Sequence, residues 1–183
     1  GLIEALKKDP GAVSWAGGSA GGTDHIAVGL IAKAAGVDPT KINYIAYSGG
    51  GEALAAILGN QVTAGISSVG EFEAQVKAGT LRLLAVSAPE RIAGVEAPTL
   101  KESGLDVELQ NWRMVAAAPG LTDEQKAKVS GDIEKMVKSE NWQKQLADKG
   151  WSDTYLSGAE FDAQLAKDEA ATAAVLKDIG LVK

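Results

Sequence analysis

Short apolar runs recur through the first half of the chain, and each is followed by small residues and then by an amphipathic stretch. Four of these runs have the continuous apolar character of buried parallel strands. We predict strands at Val13–Ala16, Ile42–Tyr47, Val62–Ser67 and Leu81–Ser87. The alternation of strand, turn and helix predicts βαβ units on a parallel-rich sheet flanked by helices, and therefore an α/β fold.

Helices are predicted after the first three strands, near residues 23–35, 51–58 and 71–78. In the first of them, apolar residues recur at the spacing of one helix face. Each helix is followed by a glycine, which suits this position because glycine adopts the left-handed backbone conformation without strain. These glycines are Gly36, Gly59 and Gly79.

The last third of the chain is predicted to be mainly helical. Thr122 with Gln125, and Ser157 with Glu160, have the spacing of capping boxes, in which side chains bond the free backbone N–H groups at a helix start. Ser139 is a third candidate N-cap. These helices carry apolar faces that need another surface to cover them.

Between the two halves, Leu105–Ala118 is predicted to be extended and to lead from one domain into another. Thr99–Glu102 has capping-box spacing and predicts a short helix before this segment, while Trp151–Leu156 is predicted to be a short strand. We therefore expect an α/β domain over residues 1–115 and a helical segment over residues 116–183.

Composition narrows the classes of function. The 183 residues carry a net charge of −6, with no cysteine and a single histidine, so disulfides, thiolate metal sites and histidine-rich metal sites are excluded. Basic residues are scattered, so no nucleic-acid-binding face and no basic membrane-surface helix is predicted. No apolar run approaches the roughly 20 residues of a membrane-spanning helix. We expect no cofactor and no direct membrane insertion.

A glycine-rich segment, Gly17–His25, joins the first predicted strand to the first helix. Backbone N–H groups at a helix N-terminus point outward, and the helix dipole there favours an anion. Glycines let a ligand approach the main chain closely. The same residues also fit a tight turn that ends in an N-cap at Thr23. As a binding loop, the segment contributes Ser19, Ala20, Gly21, Gly22, Thr23, Asp24 and His25.

Two further turns have the same position after a strand. Tyr47–Glu52 contains three successive glycines that suit a carboxylate or phosphate, although a flexible turn is the alternative. Paired hydroxyls after the third strand either complete the site or cap the next helix. Ligands in open α/β sheets lie beyond the carboxyl ends of the strands, so we expect the three turns to meet around a carboxylate. The candidates in these two turns are Tyr47, Gly49, Gly50, Ser67 and Ser68.

No catalytic group is predicted, and we do not expect an enzyme. A pair such as Ser19 with His25 matches no catalytic triad or nucleophile elbow. His25 is interpreted as a neutral histidine that packs or bonds locally, because a cation is disfavoured in a first helical turn. Asp24 is interpreted as an acid that complements the helix dipole or meets an amino group of a ligand. Glu71 and Glu73 are interpreted as helix-surface charges.

Several segments resemble, in order and over nearly the whole chain, the receptors of tripartite tricarboxylate transporters, which form the TctC or Bug family. The longest are the two glycine-rich loops. In the second loop the family usually has a proline before the tyrosine, where this chain has Ala46. The segments that carry the resemblance are Trp15–His25, Ile45–Ala53, Lys77–Val86, Glu90-Arg91, Ala97–Gly104, Asn111–Arg113 and Ala118–Gly120.

The resemblance implies a two-lobed fold of the type II periplasmic-binding-protein class. Residues 1–115 would form the second lobe, and the helices over 116–183 would complete the first lobe, whose other elements would precede Gly1. The start at Gly1, without Met or a signal peptide, is interpreted as processed or truncated. Closure of such lobes would hinge near Trp112–Ala118.

The resemblance also implies a periplasmic solute-binding receptor that captures a small carboxylate and passes it to the membrane permease subunits of a transporter. The carboxylate would be a dicarboxylate, a tricarboxylate, an amino acid or an aromatic acid, held largely by main-chain N–H groups. One alternative is the ligand-sensing effector domain of a regulator with the same lobe architecture. An acyl or phosphoryl transferase is a third, although no base, metal cluster or phosphate-binding lysine is in place for it.

Overall fold

The computed structural model describes residues 1–182 and separates the chain into two units. The first unit consists of Gly1–Asn111 together with Glu169–Lys183, and the second is Trp112–Asp168. The boundary at residue 112 falls inside the segment that was predicted to lead from one domain into another. The end of the chain, however, belongs with the first unit. The expectation that residues 116–183 complete another lobe stays a prediction.

The first unit is built on a three-stranded parallel sheet of β1 (Ser14–Gly17), β2 (Asn43–Ala46) and β3 (Ala64–Gly65). The strand order is β2-β1-β3, and both pairs are parallel. Trp15 of β1 lies opposite both a β2 and a β3 residue, so the strands are in register at their carboxyl ends. The predicted parallel α/β fold is confirmed.

Four α-helices belong wholly to this unit: α1 (Leu2–Lys8), α2 (Thr23–Ala34), α3 (Gly50–Leu58) and α4 (Val69–Lys77). The last three follow the three strands, as the sequence pattern predicts. Helix α1 was not predicted, although its Leu6 is fully buried and anchors it to the core.

Two of the predicted helix-ending glycines, Gly36 and Gly79, adopt left-handed backbone at φ 74° and 73°. The third prediction is wrong in detail. Gly59 keeps a right-handed φ of −78°, and Asn60 takes the left-handed conformation at φ 52°. Asparagine tolerates this region because its short polar side chain can bond locally.

The predicted fourth strand and the short helix after it do not form. Of Leu81–Ser87, Val86 alone makes a β-bridge, to Thr99. The neighbouring segment contains Pro98, which has no N–H to extend a ladder. The capping box itself does form: the Glu102 N–H donates to Thr99 Oγ1 at 3.0 Å, and the Thr99 N–H to Glu102 Oε2 at 2.8 Å. The chain turns at Gly104, whose φ is 85°, before a helix can extend.

The core of the first unit lies on both faces of the sheet. One cluster surrounds Trp15 and Val28, and a smaller one surrounds Ala16 and Ala53. Helix α2 is buried along most of its length, and Gly29 lets Ile179 approach, since a Cβ there would lie 2.6 Å from Ile179 Cγ2. The core thus fixes α2 and α3 beneath the turns that precede them.

The second unit contains α5 (Asp123–Val137) and α6 (Glu140–Lys149), and α7 (Gly158–Asp178) begins in it and ends in the first unit. Thr122 forms the predicted capping box with Gln125, and Ser139 Oγ accepts from the Trp142 N–H at 3.2 Å. The predicted strand at Trp151–Leu156 is absent from the described residues, and these residues are exposed.

Few apolar side chains of the second unit are covered. Val137 and Leu146 are buried, and Trp112 packs edge-on to Phe161 at 6.2 Å and donates to Asp168 at 2.7 Å. None of the helices described in residues 1–182 is both long and apolar enough to cross a membrane. The exposed large apolar residues of this unit are Met114, Val115, Val129, Met136, Trp151, Tyr155 and Leu156.

Candidate functional site

Three turns follow the carboxyl ends of the three parallel strands. The first turn (residues 18–22) joins β1 to α2, the second (47–49) joins β2 to α3, and the third (66–68) joins β3 to α4. Because the strands are adjacent and parallel, the turns lie at one edge of the sheet. This edge is where ligands of open α/β sheets bind.

Direct contacts join the second and third turns. A Cβ on Gly50 would lie 2.5 Å from Ser67 Oγ, so the present position of the serine depends on glycine here. Glu71 Oε2 accepts from Ser68 Oγ at 3.0 Å and from Ser67 Oγ, and it also adjoins Gly50. The Glu71 charge acts on Asp24, which follows the first turn. The second and third turns are therefore joined around Glu71, whose charge also reaches the residue after the first turn, and whether the three turns surround a carboxylate stays a prediction.

The helices that begin at this edge have N-termini without side-chain caps. Gly22, Gly49 and Ser68 occupy the N-cap positions of α2, α3 and α4, and none of them makes a side-chain cap hydrogen bond. The first N–H groups of a helix have no intrahelical acceptor. Three helix N-termini, with the positive ends of their dipoles, thus lie at the same edge of the sheet.

The first turn is held by its own hydrogen bonds. The Gly18 N–H donates to Asp24 Oδ2 at 2.8 Å, and the Gly21 N–H donates to His25 Nδ1 at 3.2 Å. The Gly22 N–H donates to the Ser19 carbonyl at 2.9 Å. These amides are therefore already bonded within the turn. The donors left for a ligand at this turn are those of the first residues of α2.

Tyr44, a residue of β2 that was not among the candidates, contacts the first turn through its hydroxyl and its ring. Its hydroxyl donates to the Gly18 carbonyl at 2.7 Å, and its ring stacks on His25 at 4.1 Å with 3° between the planes. Gly17 leaves room for this hydroxyl, because a Cβ there would lie 2.5 Å from it. A tyrosine in the strand next to the one that leads into the glycine-rich loop was the available signal.

Burial controls the protonation of this cluster. It raises the pKa of Asp24 above its usual range, against the Gly18 N–H, which lowers it, and with the Glu71 charge, which adds to the rise. Burial lowers the pKa of His25, which keeps Nδ1 free to accept from Gly21. Burial, with the nearby charge of Asp24, raises the pKa of Tyr44. The neutral His25 agrees with its sequence interpretation.

The remaining candidates are placed along the same edge. Ser19 and Ala20 are exposed at the tip of the first turn, and Thr23 Oγ1 donates to Asn111 Oδ1 at 3.2 Å. The Tyr47 N–H donates to the Gly17 carbonyl at 2.9 Å, so Tyr47 extends the β1–β2 ladder. In the second turn, the Ser48 N–H donates to Glu52 Oε2 at 2.9 Å. Whether these residues bind a ligand stays a prediction.

The candidate residues do not line the cavity of the second unit, and the described residues offer no metal site. A cavity of about 640 Å³ in the second unit is lined by residues that include Val137, Gln143 and Tyr155, and none of the candidate residues lines it. Within residues 1–182, no group of three or more His, Cys, Asp or Glu side chains is placed to hold a metal ion.

Comparison with known proteins identifies the family. Residues 1–181 match the family model TctC, described as the tripartite tricarboxylate transporter family receptor. The chain belongs to this family. It is 31% identical over 123 residues to protein BugT of Bordetella pertussis, a match that covers 67% of this chain and 37% of that protein.

Three solved structures share the fold. A TctC solute-binding protein from Polaromonas is 29% identical, with a TM-score of 0.76 over 96% of this chain and 60% of that one. An R. palustris protein with adipate is 22% identical, with a TM-score of 0.81 over 98% and 60%. MatC from Rhodopseudomonas palustris with bound malate is 17% identical, with a TM-score of 0.65 over 100% and 60%.

The TctC family consists of solute-binding receptors rather than enzymes, and its members are periplasmic binding proteins. The chain spans about 60% of the length of the solved relatives and 37% of BugT. None of these comparisons supports the alternative of a regulator's effector domain.

Proposed function

We propose that this chain carries the carboxylate-binding lobe of a periplasmic solute receptor, which passes its ligand to the permease subunits of a tripartite tricarboxylate-type transporter. The observation that carries the proposal is that three helices without side-chain N-caps begin at the carboxyl ends of three adjacent parallel strands. Each helix N-terminus is equivalent to roughly +0.5 elementary charge. Together the three offset one carboxylate without a cationic side chain, which suits a chain with net charge −6.

The solute is a small carboxylate from the classes of dicarboxylates, tricarboxylates, amino acids and aromatic acids. Family membership supports solute capture, and two structural relatives carry adipate and malate. Of this chain's residues, the proposal assigns binding to the first helical turns and to the hydroxyls of the third turn. The residues proposed to line the site, through these donors or through other atoms, are Ser19, Ala20, Gly21, Gly22, Thr23, Asp24, His25, Tyr47, Gly49, Gly50, Ser67 and Ser68.

Gly49 offers a direct test, because a side chain there meets open space and its φ of −179° suits any residue. Gly49→Asp adds an N-cap whose carboxylate takes the donors that a ligand carboxylate would use, and Gly49→Asn adds the same cap without charge. We expect both variants to stabilise the fold slightly. We expect Gly49→Asp to weaken malate and adipate binding at least tenfold, and Gly49→Asn to weaken it less.

Binding is measured by NMR titration of each variant with malate and adipate, and stability by thermal unfolding without ligand. Gly131→Asn, in open space on α5, controls for the introduction of a polar side chain elsewhere. Malate affinity that is unchanged in Gly49→Asp would show that the start of α3 does not hold the ligand.

A further inference from the structure

Glu71 places a carboxylate of the protein itself where the second and third turns meet. Its Oε2 accepts hydrogen bonds from both hydroxyls of the third turn, Ser67 and Ser68. The same carboxylate adjoins the first residue of α3, since a Cβ on Gly50 would lie 2.5 Å from Glu71 Cδ. Glu71 therefore bonds to the third turn and touches the second through one group.

The charge of Glu71 also reaches the first turn. After burial, which is the larger cause, it contributes to the raised pKa of Asp24. Glu52 adds a third carboxylate, bonded to the Ser48 N–H of the second turn. All three carboxyl groups lie beside the N-termini of helices, whose dipoles favour negative charge. Carboxylates of the protein thus already accept from some of the donors at this edge, namely the Gly18 N–H, the Ser48 N–H and the two serine hydroxyls.

We propose that Glu71 determines the charge selectivity of the site, as an internal competitor for the donors that a solute carboxylate would use. This inference rests on the proposed function. A solute carboxylate displaces Glu71 from the two serine hydroxyls or binds beside it, and in both cases the negative charges repel. Because Glu71 is exposed, its side chain can swing into water at little cost. Solutes of higher negative charge are disfavoured more strongly than monoanions.

The test compares Glu71→Gln and Glu71→Ala with Glu73→Gln, all in this same chain. The Gln variant retains an acceptor for the serine hydroxyls but not the charge, and the Ala variant removes both. Glu73 lies on the same helix, is exposed and pairs with Lys77 at 2.5 Å, so its neutralisation matches the change in net charge. The probes are malate, a dianion at pH 7, and lactate, a monoanion, titrated by NMR.

We expect Glu71→Gln and Glu71→Ala to bind malate about threefold to tenfold more tightly than the parent chain. This range follows from a like-charge interaction across a partly hydrated pocket. The gain for lactate should be about the square root of the gain for malate, because the interaction scales with ligand charge. Both gains should shrink at 1 M salt, where screening is strong. Glu73→Gln should change either affinity by less than about 1.5-fold, because its charge is screened by water.

Three results would overturn the inference. Unchanged or weaker malate binding in both Glu71 variants would exclude competition, and equal gains for malate and lactate would exclude charge as its basis. In the chain without ligand, amide signals of Gly50 and Ser67 that respond no more to Glu71→Gln than to Glu73→Gln would exclude the contact itself. If the parent and all variants fail to bind malate, adipate and lactate, the proposed function fails and the selectivity role fails with it.

Discussion

The helices of the two units begin in different ways. In the second unit, Thr122 and Ser139 cap α5 and α6 with their own side chains. In the first unit, α2, α3 and α4 begin at residues that make no such bond, although Ser68 has the same side chain as Ser139. Capped starts add stability, typically about 1 kcal/mol each. Helices α2, α3 and α4 lack this stabilisation, and a bound anion would provide it by accepting from the same N–H groups.

Apolar burial separates the units as well. The first unit contains both clusters of buried residues, whereas large apolar side chains of the second, such as Val115 at 67% and Trp151 at 55%, are exposed. The solved relatives are longer than this chain. Glu169–Lys183 belongs with the first unit, and we propose that the rest of the helical segment over 116–183 completes the first lobe of the receptor, with residues 1–115 as the second lobe and the hinge near Trp112–Ala118.

The largest effect should come from the core of the first unit. Leu6 is fully buried, and Leu6→Ala should cost about 2–5 kcal/mol of unfolding free energy, because it leaves a cavity. Met136, at 40% exposure on α5, provides the control, and Met136→Ala should cost less than about 1 kcal/mol. Urea denaturation of both variants measures the difference. A similar loss of unfolding free energy in the two variants would mean that Met136 contributes as much to a packed core as Leu6 does.

An intermediate effect is expected from the caps. Ser139→Ala should destabilise α6 by about 1 kcal/mol, because the Trp142 N–H loses its acceptor. Ser68→Ala, at the equivalent position of α4, should cost less than about 0.5 kcal/mol, because its hydroxyl bonds Glu71 rather than the backbone. Amide hydrogen exchange measures the loss of protection in each of the two helices separately. Equal loss of protection in α4 and α6 would remove the distinction between the units.

The smallest effect is a pH dependence confined to the first unit, which contains the chain's one histidine. Burial lowers the pKa of His25, so between that value and the usual value near 6.5 the unfolded chain binds more protons than the folded one. This contribution to stability is complete above the usual value and is lost as the pH falls through the lowered one.

His25→Gln isolates the contribution, because glutamine can accept from the Gly21 N–H but does not titrate. The free energy of unfolding, measured by urea denaturation from pH 7.5 to pH 5, should fall more steeply in the parent chain than in the variant. Parallel curves would mean that the histidine titrates equally in both states.

Local patterns in the sequence located most of the fold. The apolar runs and the glycines after them placed β1, β2, α2, α3 and α4 to within a few residues, because buried strands and helix ends are read from neighbouring positions. A strand also needs a partner elsewhere in the chain. Leu81–Ser87 has the right residues but meets a segment interrupted by Pro98, which its own composition does not reveal.

The candidate site also has features that the local sequence predicts and features that depend on tertiary packing. Its three turns were predicted because each has its own glycine or serine signal and its own strand before it. Tyr44 and Glu71 were not assigned to it, since the contact of Tyr44 with Gly18 and that of Glu71 with Gly50 depend on how separate segments pack. Short-range patterns therefore indicate where a site lies, and tertiary contacts determine which side chains shape it.

The close approach of Gly50 to Glu71 has an evolutionary consequence. A side chain at position 50 would overlap the carboxylate at position 71, so Gly50 cannot gain one while the Glu71 side chain keeps its present position. A lineage that replaces this glycine must first shorten or reorient its acidic neighbour. A larger residue at position 50 should therefore occur together with a different residue at position 71, and a relative with both exchanges would be a receptor with a changed solute preference.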